Sequence, residues 1–448
     1  MTYCKIELGN ARSRVSNLPR ELYDLLRFEL SYLSGQPGPR RWLQPDGSIK
    51  TTFWDGYTRL LDRKGFFPSG LLPRAVRLLR KWGVTVNIVD SRQKPIEGVP
   101  LWTMPEGFTL RDYQEAACDA AERVGRGVIV SPPRTGKTVM MAELVRRLAL
   151  PTVITAPTEP IAKQTYETLI KLFGANAWSG GGAEHDFYLL TGGAPKSRKA
   201  KRALKLATVF VATADTAVTM SEEWWSKIEC WICDERHHQA AKTYHQINKL
   251  AANAYFRWGF TGTNFRSAEG EHVALEACLG RVLASYSIRE MRDRGVLVPA
   301  RVEFIPIDYV RGVSSLSYTK GGYKRGIVEC ETRNQLIAQE ARQLAEAGRR
   351  VLILVHQIKH GEILRDMIWG SQFVKGGNTD EVRRAVRALD GGDLRVLIGS
   401  PVVGEGLDCP AADALIYAKG QKAQVTHTQD AFRVLTAHGD KREALIID

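Results

Sequence analysis

The chain has 448 residues, of which 44% are hydrophobic, enough for two or three buried cores at about 150 residues per domain. No apolar run approaches the roughly 20 residues of a membrane span, and the N-terminus lacks the apolar segment of a signal peptide, so we expect a soluble, cytoplasmic protein without a membrane partner. The seven cysteines are odd in number and scattered, which favours reduced thiols over a disulfide framework.

Positive charge is concentrated at the front of the chain. The net charge is +14, and residues 1–100 hold 17 Lys and Arg against 9 Asp and Glu. This balance favours a polyanionic partner, DNA or RNA, although a merely soluble basic surface has the same composition.

Residues 1–95 predict a small α+β domain. Apolar spacing predicts a helix over 18–33 with Asn17 as its N-cap. The Gly- and Pro-rich stretch 35–47 is interpreted as a loop, and Asp55-Gly56 as the turn of a hairpin.

A second predicted helix, over 71–82, makes this domain a candidate nucleic-acid contact. Arg77, Arg80 and Lys81 share one of its faces by spacing. Such a stripe is usually a solvated face, but neighbouring aromatic side chains could stack bases beside it. The candidate DNA-binding residues in this domain are Trp54 and Arg59.

Residues 128–138 read VIVSPPRTGKT and come before a stretch with helical apolar spacing over 139–150. A strand, a tight loop and a helix N-terminus form the context of a phosphate-binding, Walker A loop. Lys137 can reach the β- and γ-phosphate oxygens of a nucleotide, and the Thr138 hydroxyl can bind Mg²⁺. Ser131 stands where the general pattern has its first Gly, so an ordinary strand–turn–helix connection stays open at this point. The residues assigned to nucleotide binding here are Pro133, Arg134, Thr135, Gly136, Lys137 and Thr138.

A predicted helix over 109–124 comes just before this loop. It carries Tyr113 and Gln114 near its start. A glutamine amide offers a donor and an acceptor together, which suits the edge of adenine. By itself this pattern is weak, and its position before the loop strengthens it.

Strands and helices then alternate, which predicts a parallel, doubly wound sheet with ligands at the carboxyl ends of its strands. A second α/β unit follows from about residue 300. The basic segment 192–202 is open to two interpretations, a nucleic-acid contact or a solvated surface. Residues 314–326 are interpreted as a mobile basic loop.

An apolar strand over 230–233 ends in paired acids. Asp234 can hold Mg²⁺, and Glu235 can take the proton of an attacking water. Cys230 and Cys233 precede two histidines, which raises zinc as an alternative. We expect no structural zinc, because side chains three apart on a strand point to opposite faces and no second Cys/His pair has the required spacing.

With these motifs assembled, residues 108–448 resemble a superfamily-two helicase of the DEAD/DEAH-like type. Beyond the loop, the motifs occur in order as APT at 156–158, TGG at 191–193, DERH at 234–237, TGT at 261–263, GEGLD at 404–408 and Gln429-x-x-x-Arg433. The front end, with Trp54-Asp-Gly-x-x-Arg59, is similar to the N-terminal domain of phage recombination and repair helicases in this superfamily.

The resemblance implies two tandem RecA-like, doubly wound parallel-sheet lobes preceded by the small α+β domain. The implied boundaries are 1–95 for the nucleic-acid-binding N-terminal domain, 108–290 for the ATP-binding first lobe and 300–448 for the second lobe. ATP would bind between the lobes, gripped by Lys137 from one and Arg433 from the other.

The resemblance also assigns roles to single residues. Catalysis would involve Lys137, Glu235, His237, Gln429 and Arg433. Gly406 and Asp408 would add to ATP binding, and Thr138 and Asp234 would hold the metal. Thr158, Gly193, Thr213 and Ser400 would contact the DNA strand, while Thr261 and Thr263 would couple the two sites.

The last motif departs from the family pattern. Phe432 stands where the family usually has Gly, and Thr436 where it has a second Arg. An arginine finger accelerates related phosphoryl transfers by roughly 10³–10⁵-fold, so hydrolysis could be slow unless Arg433 or another cation such as Arg134 serves.

The favoured hypothesis is a monomeric, ATP- and Mg²⁺-dependent DNA helicase or branch-migrating translocase. It would act in recombination, repair or replication restart on branched or single-stranded DNA or an RNA–DNA hybrid. Two rivals stay open: an ATP-binding annealing clamp that hydrolyses poorly, and the motor subunit of a restriction or nuclease machine.

Overall fold

The computed structural model describes residues 2–43, 46, 48–96, 102–174, 186–193, 195, 197–234, 241–262, 271–307, 320–375, 379–400, 409–420, 430–439 and 441–448. The chain forms two compact units. The first contains Met1–Ser131 and Gly136–Ser285, and the second contains Pro132–Thr135 and Tyr286–Asp448. No helix in the described ranges is both long and apolar enough to cross a membrane.

The front of the first unit is built from short strands and helices. In chain order they are β1 (Tyr3–Leu8), β2 (Arg12–Ser16), α1 (Arg20–Glu29), β3 (Ser31–Leu33), β4 (Gly38–Leu43), β5 (Ile49–Trp54), β6 (Tyr57–Arg59), β7 (Phe66–Pro68), α2 (Leu72–Lys81) and β8 (Thr85–Asp90). Four strands form a sheet in the order β7–β2–β1–β8, and α1 and α2 bury their apolar sides in its core.

Four predictions for this region are wrong. The helix predicted over 18–33 ends at Glu29 as α1, and Ser31–Leu33 form β3. Asn17 does not cap α1: the N-cap is Pro19, without a side-chain hydrogen bond, and Asn17 lies in the left-handed region at φ +60°. The predicted loop 35–47 contains β4, whose pairing with β5 is concealed in the sequence by neighbouring Gly and Pro. Asp55-Gly56 joins β5 to β6, but these strands pair with β4 and β3 respectively, so they form no hairpin with each other.

The remainder of the first unit alternates strands and helices. Its elements are α3 (Asp112–Val124), β9 (Arg126–Val130), α4 (Lys137–Leu148), β10 (Thr152–Ala156), α5 (Glu159–Phe173), β11 (Phe187–Leu190), α6 (Arg198–Leu206), β12 (Val209–Thr213), α7 (Ala214–Ala217), α8 (Glu222–Trp225), β13 (Cys230–Cys233), α9 (Ala241–Leu250), β14 (Phe256–Thr261), α10 (Glu271–Leu279) and β15 (Val282–Ser285).

Seven of these strands form one sheet in the order β11–β12–β10–β13–β14–β9–β15, and every pairing is parallel. The central strands are buried along their whole length, as parallel strands covered by helices on both faces must be. All carboxyl ends lie on one edge, so the loops that follow the strands meet there.

The front domain and the seven-stranded sheet share one hydrophobic core. Val273 and Ala277 of α10 are buried among the side chains of the front sheet and its helices. Arg74 of α2 binds Glu276 at 2.6 and 2.9 Å. At Gly70 a Cβ would collide with backbone carbonyls of α10, so only glycine permits this close approach.

The second unit holds a sheet of six strands. Its elements are α11 (Ile288–Asp293), β16 (Ala300–Glu303), α12 (Lys320–Tyr323), α13 (Glu331–Glu346), β17 (Val351–Leu354), α14 (Ile358–Met367), β18 (Gln372–Val374), α15 (Thr379–Gly391), β19 (Val396–Gly399), β20 (Ala414–Tyr417) and β21 (Ala444–Ile447). The order is β16–β21–β20–β17–β19–β18, again all parallel.

The predicted fold class, two RecA-like parallel-sheet lobes after a small α+β domain, is therefore confirmed. The predicted basic loop 314–326 is partly wrong. Its described part, from residue 320, is helical: α12 continues into a π-helical turn at Lys324–Val328. Residues 314–319 lie outside the described ranges.

Candidate nucleotide and nucleic-acid sites

The predicted phosphate loop connects β9 to α4 at the carboxyl edge of the seven-stranded sheet. Gly136 is the N-cap of α4 and has φ +80°, and no side chain caps this helix. Arg134 is also left-handed, at φ +70°. The backbone N–H groups of the first turn therefore meet no side-chain cap, and together with the helix dipole they suit an anion.

Two hydrogen bonds fix the ends of this loop. The Ser131 N–H donates to the carbonyl of Thr261 at 2.9 Å, which holds the end of β9 to the end of β14. The Thr135 hydroxyl donates to the carbonyl of Pro132 at 2.7 Å. Lys137 and Thr138 then stand half-buried at the first turn of α4.

Gln114 lies against the phosphate loop, as its predicted role requires. A Cβ at Gly136 would meet Nε2 of Gln114, so the two residues are neighbours, and the φ of +80° favours glycine at this position. The Gln114 Oε1 accepts a hydrogen bond from the backbone N–H of Arg111 at 3.0 Å and is part of a capping box at the start of α3. Tyr113 beside it is buried, and its hydroxyl accepts from Arg111 at 3.3 Å.

Asp234 follows β13 on the same edge and is 5% exposed. Strand β14 separates β13 from β9, so Asp234 lies about 10 Å across the sheet from the start of the loop, at two strand spacings. A hydroxyl from Thr138 and a carboxylate from Asp234 are oxygen ligands of the kind Mg²⁺ prefers. The donor set of the loop and this edge therefore fits a magnesium-bound polyphosphate.

Hydroxyl groups at neighbouring strand ends form a separate cluster. The Thr216 Oγ1 accepts from the Gly193 N–H at 3.3 Å and from the Thr213 hydroxyl at 2.8 Å. The hydroxyl of Thr158, before α5, is buried and has no hydrogen-bond partner in the described part of the chain. Three of the predicted strand contacts thus lie at the carboxyl edges of β10, β11 and β12.

The two DNA-contact candidates of the front domain are engaged locally. Arg59 forms an ion pair with Asp55, and the Trp54 indole N–H donates to the carbonyl of Tyr57 at 2.9 Å. The hydrogen bonds from Arg59 lower the pKa of Asp55 to about 2.

In the second unit, Arg433 belongs to a buried ionic cluster that the sequence did not reveal. Asp430 binds Lys419 at 2.6 Å, with the two side chains only 3% and 4% exposed. The other oxygen of Asp430 accepts from Nε of Arg433 at 3.3 Å. Arg333 and Tyr323 donate to the carbonyls of Tyr417 and Lys419, so polar groups gather at the end of β20.

Burial lowers the pKa of Arg433, and the nearby charge of Arg134 acts in the same direction while Asp430 opposes both. Burial likewise lowers the pKa of Lys441 to about 8, with a smaller contribution from Arg134. Arg134, which is grouped with the second unit, thus acts on both Arg433 and Lys441. A bound anion would relieve the repulsion between them.

The two residues of the last motif that differ from the family pattern, Phe432 and Thr436, contribute to the packing of the second unit. Phe432 is buried in a short 3₁₀ turn, Phe432–Val434. Thr436 forms a backbone bridge with Leu297, and its hydroxyl is buried without a hydrogen-bond partner among the described residues.

Among the remaining predicted site residues, Ser400 is buried after β19, where its N–H donates to the carbonyl of Val374. Other assignments fall outside the described ranges, namely Glu235, His237, Thr263, Gly406, Asp408 and Gln429. The sequence reasoning missed Thr216 in the first unit and Lys419, Asp430 and Lys441 in the second. Asp430 had one available signal, an acid within three residues of a motif arginine.

The cysteines of the zinc alternative are buried residues of β13. Burial raises the pKa of the Cys230 thiol, which disfavours the thiolate that would bind zinc. No metal-binding cluster of His, Cys, Asp or Glu occurs within the described ranges, and the two histidines after β13 lie outside them.

The chain has two RecA-like parallel sheets, and the seven-stranded one carries a phosphate loop and the acid Asp234 at its carboxyl edge. This combination is typical of nucleotide-binding motor proteins. Residues 107–266 match the family described as type III restriction enzyme, res subunit. The chain is similar to the ATP-dependent DNA helicase uvsW of Enterobacteria phage T4, with 22% identity over 88% of this chain and 81% of that protein.

Two further similarities extend along the chain. The DNA 3′-5′ translocase XPB2 of Sulfurisphaera tokodaii is 24% identical over 80% of this chain and 85% of its own length. The crystal structure of T4 UvsW superposes with a TM-score of 0.51 and 19% identity, covering 99% of this chain and 90% of that one. The predicted resemblance to superfamily-two helicases, including a phage DNA helicase, is therefore confirmed.

Proposed function

We propose that the protein is an ATP-dependent DNA helicase or translocase that acts on branched DNA in recombination, repair or replication restart. One observation carries the proposal: the phosphate loop, Gln114 and Asp234 converge at the carboxyl edge of a single parallel sheet. The two similar proteins described above, a DNA helicase and a DNA translocase, support it. A motor on DNA implies an intracellular protein, and we propose that it works as a monomer.

In this proposal the predicted site residues have the following tasks. The first turn of α4 and Lys137 bind the phosphates, and Gln114 binds adenine. Thr138 and Asp234 hold Mg²⁺, which neutralises charge on the phosphates when bound. Glu235 takes the proton of the attacking water, and Arg433 supplies the positive charge that stabilises the γ-phosphate. His237 and Gln429 keep their assigned catalytic roles.

The strand contacts and coupling residues complete the proposed motor. Thr158 presents a buried hydroxyl that lacks a protein partner among the described residues, which suits a phosphate oxygen of the strand. Gly193 and Thr213 continue this path in the first unit, and Ser400 keeps its assigned strand contact in the second. Thr261 is bonded through its carbonyl to the phosphate loop. We retain the domain boundaries 1–95, 108–290 and 300–448, with Thr263, Gly406 and Asp408 in their assigned roles.

The direct test measures ATP binding and hydrolysis in two variants. Lys137→Ala should weaken nucleotide binding, while Glu235→Gln should keep binding and lose turnover with and without forked DNA. Lys227→Ala and Glu223→Gln, an exposed lysine and an exposed glutamate on the surface of the first unit, serve as matched controls. Normal nucleotide affinity in Lys137→Ala, or normal DNA-stimulated turnover in Glu235→Gln, would refute the assignments.

A second candidate is an annealing clamp that binds ATP and hydrolyses it slowly. The engagement of Arg433 by Asp430 favours it, because a paired and buried arginine has less freedom to reach a phosphate. Steady-state hydrolysis with and without forked DNA separates the two: strong stimulation supports the motor, and none supports the clamp. The restriction-motor alternative, which the family description of residues 107–266 keeps relevant, predicts DNA cleavage with Mg²⁺.

A further inference from the structure

Helix α6 carries its charge in one stripe, which we call the α6 stripe: Arg198, Lys201, Arg202 and Lys205. These positions are spaced by three and four residues, so their side chains fall within about 100° of the helix circumference. All four are exposed, and Lys199 adds a fifth cation just outside the stripe. The helix contains no acidic residue.

The opposite side of α6 fixes the direction of the stripe. Leu204 packs against the core beneath the sheet, and Ala200 and Ala203 are half-buried beside it. Ser197 caps the helix, accepting from the Ala200 N–H at 3.1 Å. The helix is thus seated by its apolar side, and the cations face away from the protein.

The stripe is unneutralised in the described part of the chain, where no carboxylate lies within ion-pair distance of its members. Like charges also face each other at three- and four-residue spacings, and two cations stand at the N-terminal end, where the helix dipole is already positive. Each of these three features opposes folding and would be relieved by a polyanion.

The position of α6 indicates which polyanion. The helix crosses from β11 to β12, so its N-terminus lies at the carboxyl edge beside the cluster of Gly193, Thr213 and Thr216. Gly192 and Gly193, just before it, have open space at their Cβ positions. The stripe spans about 10 Å, and duplex DNA carries one phosphate per ~1.7 Å of its axis.

We propose that the α6 stripe is a second contact for the phosphate backbone of bound DNA, beyond the motif residues at the strand ends. The proposal rests on the proposed function, since it assumes that DNA runs along this edge. The stripe continues the path of Gly193 and Thr213 outward onto the duplex.

The test compares DNA affinity across salt for the wild type and the variant Arg198→Gln/Lys201→Gln/Arg202→Gln/Lys205→Gln. A fluorescently labelled duplex is titrated between about 50 and 200 mM salt. Each lost phosphate contact lowers the slope of log affinity against log salt by about 0.9, so the variant should lose up to about 3.6. Its Kd at about 100 mM should rise at least about tenfold.

A matched control removes four exposed cations that already have acidic partners: Arg20→Gln/Lys227→Gln/Arg289→Gln/Arg365→Gln. It has the same net charge as the test variant. We expect its slope to change by less than about 1. Equal losses in the two variants would show that only net charge matters and would overturn the proposal.

The remaining outcomes separate this inference from the proposed function. Wild-type DNA binding and DNA-stimulated hydrolysis together with an unaffected α6 variant would overturn the α6 contact alone. A wild type without salt-dependent DNA binding would overturn both. If the quadruple variant folds poorly by thermal unfolding, the four single substitutions are measured instead, each expected to lower the slope by about 0.9.

Discussion

Helices α4 and α6 belong to the same unit and both carry several cations, but they place them in opposite settings. Near the C-terminus of α4, Arg146 and Arg147 both bind Glu143, at 2.6 to 2.8 Å, and Arg147 also reaches Asp119 and Glu122 of α3. Burial alone would raise the pKa of Glu143, but its bonds to the two arginines outweigh that effect and lower it.

Helix α6 has none of these compensations within the described residues, and its cations begin at the N-terminus. On α4 the arginines lie at the negative end of the helix dipole and connect α4 to α3, so they stabilise the fold. On α6 each like-charged pair costs about 0.2–0.5 kcal/mol of helix stability. The comparison teaches that the same residue type serves structure where carboxylates surround it and serves a partner where they are missing.

The largest expected effect is at Lys419, the most deeply buried cation in an ion pair of the described residues. Asp430→Asn should lower the free energy of unfolding by about 3–5 kcal/mol, because it leaves the Lys419 charge buried without its carboxylate. Urea unfolding measures it, with the exposed Asp366→Asn as control, where at most about 0.5 kcal/mol is expected. A loss below about 1 kcal/mol would show that this pair is not structural.

Glu143→Gln tests the paired helix itself. The variant should lose about 1–3 kcal/mol, since charge-assisted hydrogen bonds to two arginines are weakened at a site that is 4% exposed. Glu223→Gln, whose partner Lys227 is exposed, should change the free energy of unfolding by less than about 0.5 kcal/mol. Similar values for both glutamates would contradict the structural role of the α4 cations.

The cations discussed above are buried with an acidic partner, whereas a basic side chain can also be buried in its neutral form. His360 is an example. It is fully buried, with Nε2 bonded to Asn334 at 2.9 Å, and burial, assisted by the charge of Arg333, lowers its pKa to about 4. The unfolded chain takes up this proton near pH 6.5, so the contribution to stability is complete above that pH and is lost as pH falls towards 4.

Between pH 7 and pH 5 this loss amounts to about 2 kcal/mol. Urea unfolding at the two pH values measures it in the wild type and in His360→Gln, which can still donate to Asn334 but does not titrate. The difference between the two pH dependences isolates His360. Parallel curves would mean that the histidine titrates normally in the folded protein.

The smallest expected effect on folding is at the α6 stripe. The quadruple glutamine variant should match the wild type in unfolding within about 1 kcal/mol, or gain slightly as repulsion is removed. Thermal and urea unfolding check this on the same samples used for DNA titration. A clear destabilisation would mean that the stripe has a structural partner after all and would remove the contrast with α4.

Periodicity predicted most of the fold, because long buried strands and amphipathic helices leave a local record. Strand Cys230–Cys233 has the predicted bounds, and α4 begins at Lys137, two residues before the stretch 139–150 whose spacing predicted it. The front domain was harder, since β4 contains Gly38 and Pro39 and its pairing depends on a strand further along the chain.

The candidate site was predictable where a motif is contiguous in sequence and not where it is assembled by folding. Gln114 and Gly136 were assigned to one nucleotide site because their motifs are ordered along the chain, and the structure places the two residues next to each other. The pairing of Lys419 with Asp430 has no periodic signature. Whether the cations of α6 have acidic partners depends on the residues that fold next to them. Composition alone therefore could not decide between a nucleic-acid contact and a solvated surface.

The shared core between the front domain and α10 has a mechanical consequence. Val273 and Ala277 are buried by the front sheet, and Gly70 approaches the backbone of α10, so the described residues of the front domain pack directly on the first lobe. Nucleic acid bound by the front domain would therefore move together with the seven-stranded sheet. A shortened chain that began at the first lobe would expose the apolar side of α10 to water. It would also lose any nucleic-acid contact made by the front domain.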